Sequence, residues 1–208
     1  IEHPRWAGGH VGASSVTEIQ NPKFDFETVI PDTLAIFKSM GLEGKIPLIA
    51  AGGVSSFEDI KRLQDLGASG VQLGTAFAVT TECDASDEFK KVLAGAKPED
   101  MVDFLSVAGL PARAVKTPWL TQYLEVLPKL QAVARKKPRC TMTFDCLHDC
   151  GLRDGNSEWG QFCIDKVLGS ALTGDVKKGL FFRGAGKLPF GNQIKSVPEL
   201  INKLLEKS

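Results

Sequence analysis

The chain has 208 residues, 43% hydrophobic and 24% charged, which suits a soluble globular protein of one domain or a domain with an appendage. Its 25 Lys and Arg residues balance 25 Asp and Glu residues, so there is no overall basic field of the kind that draws nucleic acid or an anionic membrane. No apolar run approaches a membrane span and no stretch resembles a signal peptide; five cysteines in this setting point to a reducing cytoplasm, with thiols kept for metal or chemistry rather than disulfides.

Taken in order, the chain opens at Ile1 without a Met and already inside a motif, so it reads as the C-terminal part of a longer protein. Residues 1–26 read as the end of a strand and a long loop. Within them, Trp6-Ala7-Gly8-Gly9-His10-Val11-Gly12 sets one imidazole among small residues that leave room for a flat group beside the backbone. Histidine is the side chain best suited to moving protons near neutral pH, although a loop histidine beside a tight turn is the plain alternative. Phe26, Ile30, Leu34 and Phe37 predict a helix over about Glu27–Met40, with Pro31 limiting its first turn and Gly41 ending it.

Ile46 to Ala51 is an apolar run closing on Gly52-Gly53, as in a strand buried on both faces of a parallel sheet. A capping box with Ser55 at the cap and Glu58 three residues on starts the next helix, whose stripe is Ile60, Leu63 and Leu66. Ala68 to Thr75 is a second short strand, closing on Gly74-Thr75, so residues 46–75 form a βαβ unit. A helix is expected over Ser86–Ala94 and an extended segment over Val102–Ala108, before the turn Gly109-Leu110-Pro111. A second helix covers Trp119–Ala134, broken or kinked at Pro128. Arg135-Lys136-Lys137-Pro138-Arg139 reads as a solvated connector. A helix follows over Glu158–Leu172, then a loop over Gly179–Gly191. The capping box Ser196-Val197-Pro198-Glu199 begins the last helix.

Gly52-Gly53 and Gly74-Thr75 each end a predicted parallel strand. In a (β/α)8 barrel such loops build the active site, and the last two commonly hold a phosphate on backbone N–H groups. Glycine lets those groups approach the ligand, and the Thr75 hydroxyl adds a donor. Ala7-Gly8-Gly9-His10-x-Gly12, Ile46 to Val54 and Gly70 to Phe77, in this order, resemble the nitronate monooxygenase (2-nitropropane dioxygenase) superfamily. Its members are FMN-dependent TIM-barrel enzymes and include flavin-dependent enoyl-ACP reductases. The resemblance covers residues 1–115 and extends to Gly109-Leu110-Pro111-Ala112-Arg113.

The resemblance implies an α/β fold in which residues 1–115 are the C-terminal part of a TIM (β/α)8 barrel and 116–208 a Cys-rich, mainly helical extension. The missing N-terminal part of the same barrel would supply about six more strands. It implies His10 as the base that takes a proton from a carbon beside an electron-withdrawing group while the flavin accepts electrons. Gly8 and Gly9 would lie near the isoalloxazine, and Gly52, Gly53, Gly74 and Thr75 would hold the FMN phosphate. Gln72 faces either the cofactor or the core.

Cys140-x5-Cys146-x3-Cys150-x12-Cys163 brings four thiols into one short segment, a pattern for a tetrahedral metal or an iron–sulfur cluster, or for buried free cysteines. Uneven spacing fits a cluster better than a zinc ribbon. His148 and Asp145 are alternative ligands that the fourth cysteine makes unnecessary, and Cys83 stands apart as a structural thiol. The segments Cys146 to Asp154, Gly160 to Asp165 and Gly179 to Gly184 resemble a bacterial branch of the superfamily. That branch adds a four-iron–four-sulfur cluster to the barrel and includes a decanoyl-ACP dehydrogenase/isomerase of unsaturated fatty acid synthesis. The resemblance implies an acyl carrier protein-linked substrate and dioxygen or another electron acceptor, and it accommodates a homodimer. Nitronate oxidation with dioxygen, flavin-dependent enoyl-ACP reduction and a non-catalytic metal-stabilised scaffold are the alternatives.

Overall fold

The computed structural model describes residues 1–136 and 140–206; the connector residues Lys137 to Arg139 lie outside the described set. In chain order the regular elements begin with β1 (Gly9–His10), α1 (Phe26–Ser39), β2 (Ile49–Ala51), α2 (Phe57–Asp65), β3 (Gly70–Gln72) and α3 (Thr75–Ala78). They continue with α4 (Asp87–Gly95), β4 (Met101–Leu105), β5 (Pro111–Val115), α5 (Pro118–Ala132), α6 (Gly151–Asp154), α7 (Ile164–Leu172) and α8 (Val197–Leu205).

The predicted βαβ unit is present. β2 and β3 pair in parallel, with Ala51 opposite Gln72. The first residues of the chain join them: His3 N donates to Ala51 O and Ala51 N to Ile1 O, and Glu2 bridges Ala51 in parallel. Glu2, Ala51 and Gln72 therefore stand side by side at the ends of three parallel segments. One face of this sheet packs on α1 and α2 through Phe26, Ile30, Leu48, Ala50 and Leu63. The other face is open, with Ile49 39% exposed and Gln72 exposed, whereas parallel sheets are ordinarily covered on both faces.

Some element boundaries differ from expectation for local reasons. The cap of α2 is Ser56, not Ser55: its hydroxyl accepts from Asp59 N, and the Asp59 carboxylate accepts from Ser56 N. Asp59, rather than Glu58, completes the box because it sits three residues past the true cap. Helix α5 runs through Pro128 instead of breaking, since Leu120, Tyr123 and Leu124 before it and Leu130 after it all join one core cluster. The helix expected from Glu158 starts only at Ile164. Gly160 is pressed against Ser106, where a Cβ would lie 2.7 Å from the Ser106 carbonyl carbon, and Gln161 N donates to the Tyr123 hydroxyl at 2.8 Å. These non-helical bonds wedge the segment under the β-hairpin.

That hairpin has a partner strand the sequence reading lacked. β4 and β5 pair antiparallel, and β1 adds to the other side of β5, giving the order β1-β5-β4. All five residues of β5 are buried. The largest core cluster joins Phe104, Ala112 and Ala114 of the hairpin to Tyr123, Phe162 and Val167, so the hairpin and the C-terminal helices share one interior. Among the described residues no helix is long and apolar enough to cross a membrane.

Candidate functional site

The loop before β1 is shaped by one side chain. Arg113, 2% exposed, donates through Nη1 to the carbonyls of Pro4 at 2.8 Å, Ala7 at 3.2 Å and Arg5. β5 pairs Arg113 with Gly9 and Ala112 with His10, so the same strand fixes the His10 backbone. The imidazole is half-buried, its ring centroid 5.9 Å from that of Phe182, and Nε2 is enclosed without a hydrogen-bond partner. Burial pushes its pKa below the ordinary histidine range, which keeps it a free base at neutral pH.

A cavity of about 390 Å³ opens next to this loop. Gly8, Gly52, Gly53, Gln72, Gly74 and Thr75 line it, so the glycine-ended strands and the histidine loop meet at one place. Gly9 does not line it; a Cβ there would meet only the Phe182 ring, at 3.8 Å. His10 is at the margin, touching the wall residue Phe182. Gly52 (φ 103°) and Gly53 (φ 78°) adopt left-handed backbone that favours glycine. Gly74 is different: a Cβ there would meet nothing within 4 Å and would project into open space. Among the described residues the N–H groups of Gly53, Gly74 and Thr75 have no acceptor, a donor set that suits an anion.

Gly8 also meets a second part of the chain. The space beside it is filled by the chain itself, since a Cβ on Gly8 would sit 2.2 Å from the Arg183 carbonyl carbon. The segment 182–188, which lies in the loop expected over Gly179–Gly191, is a wall of the cavity. Ala185 N donates to Trp6 O at 3.0 Å, and Gly184 N donates to Thr75 Oγ1 at 3.2 Å. Gly186 approaches Gly53 so closely that a Cβ would lie 2.9 Å from its Cα. The paired glycines Gly184 and Gly186 were the available signal. Glu2 is a further lining residue missed from sequence. Its Oε1 accepts from Gly12 N at 3.0 Å, and burial raises its carboxyl above the ordinary range.

The cysteine tail departs from the four-ligand expectation. Among the described residues no group of three or more His, Cys, Asp or Glu side chains is placed to hold a metal ion. Cys140, Cys146, Cys150 and Cys163 are free thiols in one neighbourhood: partial burial, and then Cys150, Cys163 and Cys140, each push the Cys146 thiol up. They do not converge, because Cys150 is buried and accepts from Arg153 N at 3.4 Å as the cap of α6, while Cys146 is exposed. His148 is also outside any ligand group; it pairs with Asp149 at 2.8 Å on the surface.

Comparison with known proteins follows the same residues. The family model described as nitronate monooxygenase matches residues 5–207. A probable nitronate monooxygenase of Staphylococcus saprophyticus is 30% identical over 156 residues, covering 74% of this chain and 40% of that protein. A nitronate monooxygenase of Pseudomonas aeruginosa is 32% identical over 83 residues, covering 40% of this chain and 24% of that protein. The chain thus spans less than half the length of these curated relatives. Among solved structures, FabK from Thermotoga maritima superposes with a TM-score of 0.61 at 22% identity, covering 98% of this chain and 51% of that one. Nitroalkane oxidase from Streptomyces ansochromogenes gives 0.56 at 20% identity, covering 95% and 48%. These two share the α/β fold. With the family model matching nearly every residue, the chain belongs to the nitronate monooxygenase family.

Proposed function

We propose that the chain carries the FMN-binding and base-bearing part of an FMN-dependent oxidoreductase, acting on a substrate whose acidic carbon stands beside a charge-delocalising group. The observation that carries this reading is His10, an imidazole whose pKa burial lowers, held at the margin of a cavity lined by unpaired backbone donors. FMN, when bound, supplies the electron acceptor. Gly53, Gly74 and Thr75 hold its phosphate, and Gly8, Gly52 and Gln72 bound the space it occupies. His10 takes the substrate proton, and Arg113 keeps the loop that carries it in place. In this reading the three parallel segments are the last strands of a (β/α)8 barrel ending near residue 115, and the N-terminal part of the same protein supplies the others. Residues 116–208 are the helical extension.

The test is a titration of flavin-free protein with FMN followed by flavin fluorescence, then turnover of the wild type and His10→Ala. Flavin bound with normal affinity by an inactive His10→Ala supports the reading. A protein that binds no flavin sinks it, and so does a fully active His10→Ala.

Two substrate classes make the same demand on His10. Oxidation of a nitronate with dioxygen needs no metal. Dehydrogenation and isomerisation of a medium-chain acyl-ACP thioester draws its support from the sequence spacing of Cys140, Cys146, Cys150 and Cys163, not from their placement, since among the described residues they form no ligand group. Iron and acid-labile sulfide on anaerobically purified protein decide between them: about four irons per chain support the thioester reading, and none leaves nitronate oxidation.

A further inference from the structure

The cavity has a charge asymmetry that the glycine loops do not explain. Its lining includes two cations, Arg183 and Lys187, both from the C-terminal wall, and one acid, Glu2, which lies on the parallel-strand side. Arg183 is 5% exposed. Its Nε donates to Leu93 O at 2.7 Å and its Nη1 to Gly184 O at 2.6 Å, both uncharged acceptors. Among the described residues no carboxylate lies within ion-pair distance of it, and Asp100 acts on it only through space. Buried charges in proteins are paired, because leaving one unpaired forfeits its hydration without return. Lys187 is exposed and likewise has no ion-pair partner among the described residues. Two cations without an ion-pair partner among the described residues thus line one wall of the cavity.

The wall's stitching locates these charges. Gly184 N donates to Thr75 Oγ1, so the Thr75 hydroxyl spends its oxygen on Gly184 and keeps its proton for another acceptor. Gly186 is pressed onto Gly53, which sets Lys187 one residue from the Gly52-Gly53 turn. Arg183, Lys187, Gly53, Gly74 and Thr75 therefore line one cavity, with the segment that carries the two cations bonded to Thr75 and packed on Gly53.

We propose that Arg183 and Lys187, supplied by the C-terminal segment, are the counter-charge for the dianionic phosphate of the bound mononucleotide. The proposal rests on the FMN reading above. Backbone donors recognise the phosphate by geometry, and the two cations balance its charge. The helical extension is thereby part of the cofactor site rather than an addition to it.

The experiment compares FMN with riboflavin, which has the same ring and no phosphate, by fluorescence titration of flavin-free protein. Wild type is expected to prefer FMN. Lys187→Ala should weaken FMN about tenfold, the scale of one lost charge-assisted contact, and leave riboflavin unchanged. Lys187→Glu should weaken FMN further, and added salt should narrow the gap between wild type and Lys187→Ala. Arg183→Gln should lose FMN selectively as well, with its melting curve recorded because Arg183 also ties Leu93. Lys187 is exposed, so its variants test the proposal without a folding ambiguity. If wild type prefers FMN and both Lys187 variants retain that preference in full, the counter-charge proposal is overturned while the phosphate reading stands. Equal losses for FMN and riboflavin overturn it too. If wild type binds the two flavins equally, or neither, the phosphate reading fails and takes the proposal with it.

Discussion

Arg113 and Asp103 face each other directly across the β4–β5 hairpin, Nη2 to Oδ2 at 2.8 Å and Nε to Oδ1 at 2.7 Å, and the far side of the same guanidinium gathers the carbonyls of the histidine loop. The carboxylate orients the fork, and the fork shapes the loop. Arg113→Met would leave these carbonyls and Asp103 without their donor. We predict a loss of about 2–4 kcal/mol in chemical denaturation, less than for a fully enclosed pair because Asp103 is partly solvated. Arg113→Lys should recover only part of it, since an ammonium cannot span both groups. A variant as stable as wild type would show that the loop holds its shape without the clamp.

His10→Ala should keep flavin and lose turnover by about 10²–10⁴-fold, the usual span of general base catalysis. The pH dependence has a definite sign. Burial lowers the His10 pKa, and only the neutral ring can accept a proton. Activity should rise through a pKa below the ordinary histidine value and be level by neutral pH. An acidic limb centred above that value would assign the base elsewhere.

Stability should follow pH in the same direction. Burial lowers both His3 and His10, and His3 is 4% exposed with Nδ1 unpartnered. Their depressed folded values mean that stability is fully present above the unfolded histidine pKa of about 6.5 and is lost as pH falls through the folded values. The melting temperature should drop between pH 7.5 and pH 5, and less steeply in His3→Phe. Equal slopes in the two proteins would remove His3 from the account.

The glycines separate by what a methyl group would meet. Gly8→Ala drives a Cβ into the Arg183 backbone and should cost about 1–3 kcal/mol while exposing residues 182–188 to hydrogen exchange. Gly12→Ala, with nothing within 4 Å, should change stability by no more than about 0.5 kcal/mol. Gly74→Val should leave the fold intact and weaken FMN, because its side chain enters the cavity. Unchanged flavin affinity in Gly74→Val would show that the ligand does not approach that backbone.

The parallel strands and their glycine ends were legible because apolar runs closing on Gly52-Gly53 and Gly74-Thr75 are local signals. His10 stands out as a candidate through its setting among small residues. β5 was not legible: Pro111-Ala112-Arg113-Ala114-Val115 has no alternating pattern, because β1, β4 and the C-terminal helices bury it on all sides. Arg183 and Lys187 were invisible for a similar reason. They reach the cavity because their neighbours Gly184, Ala185 and Gly186 contact Thr75, Trp6 and Gly53, far away in sequence, and a loop carries no periodicity to announce such contacts. Pro128 was a false break because anchors on both sides of it outweigh one missing backbone hydrogen bond.

The bond from Ala185 N to Trp6 O joins residues 179 positions apart. A nascent chain can assemble β2, α2 and β3 as soon as they leave the ribosome, but the cavity has no far wall until residues 182–188 have emerged. Contacts of such long sequence separation form late, since the intervening loop must close before they return any energy. On the proposed reading, flavin capture waits for residues 182–188. A chain stopped before residue 182 would then fold its early helices, expose the His10 loop and retain no flavin.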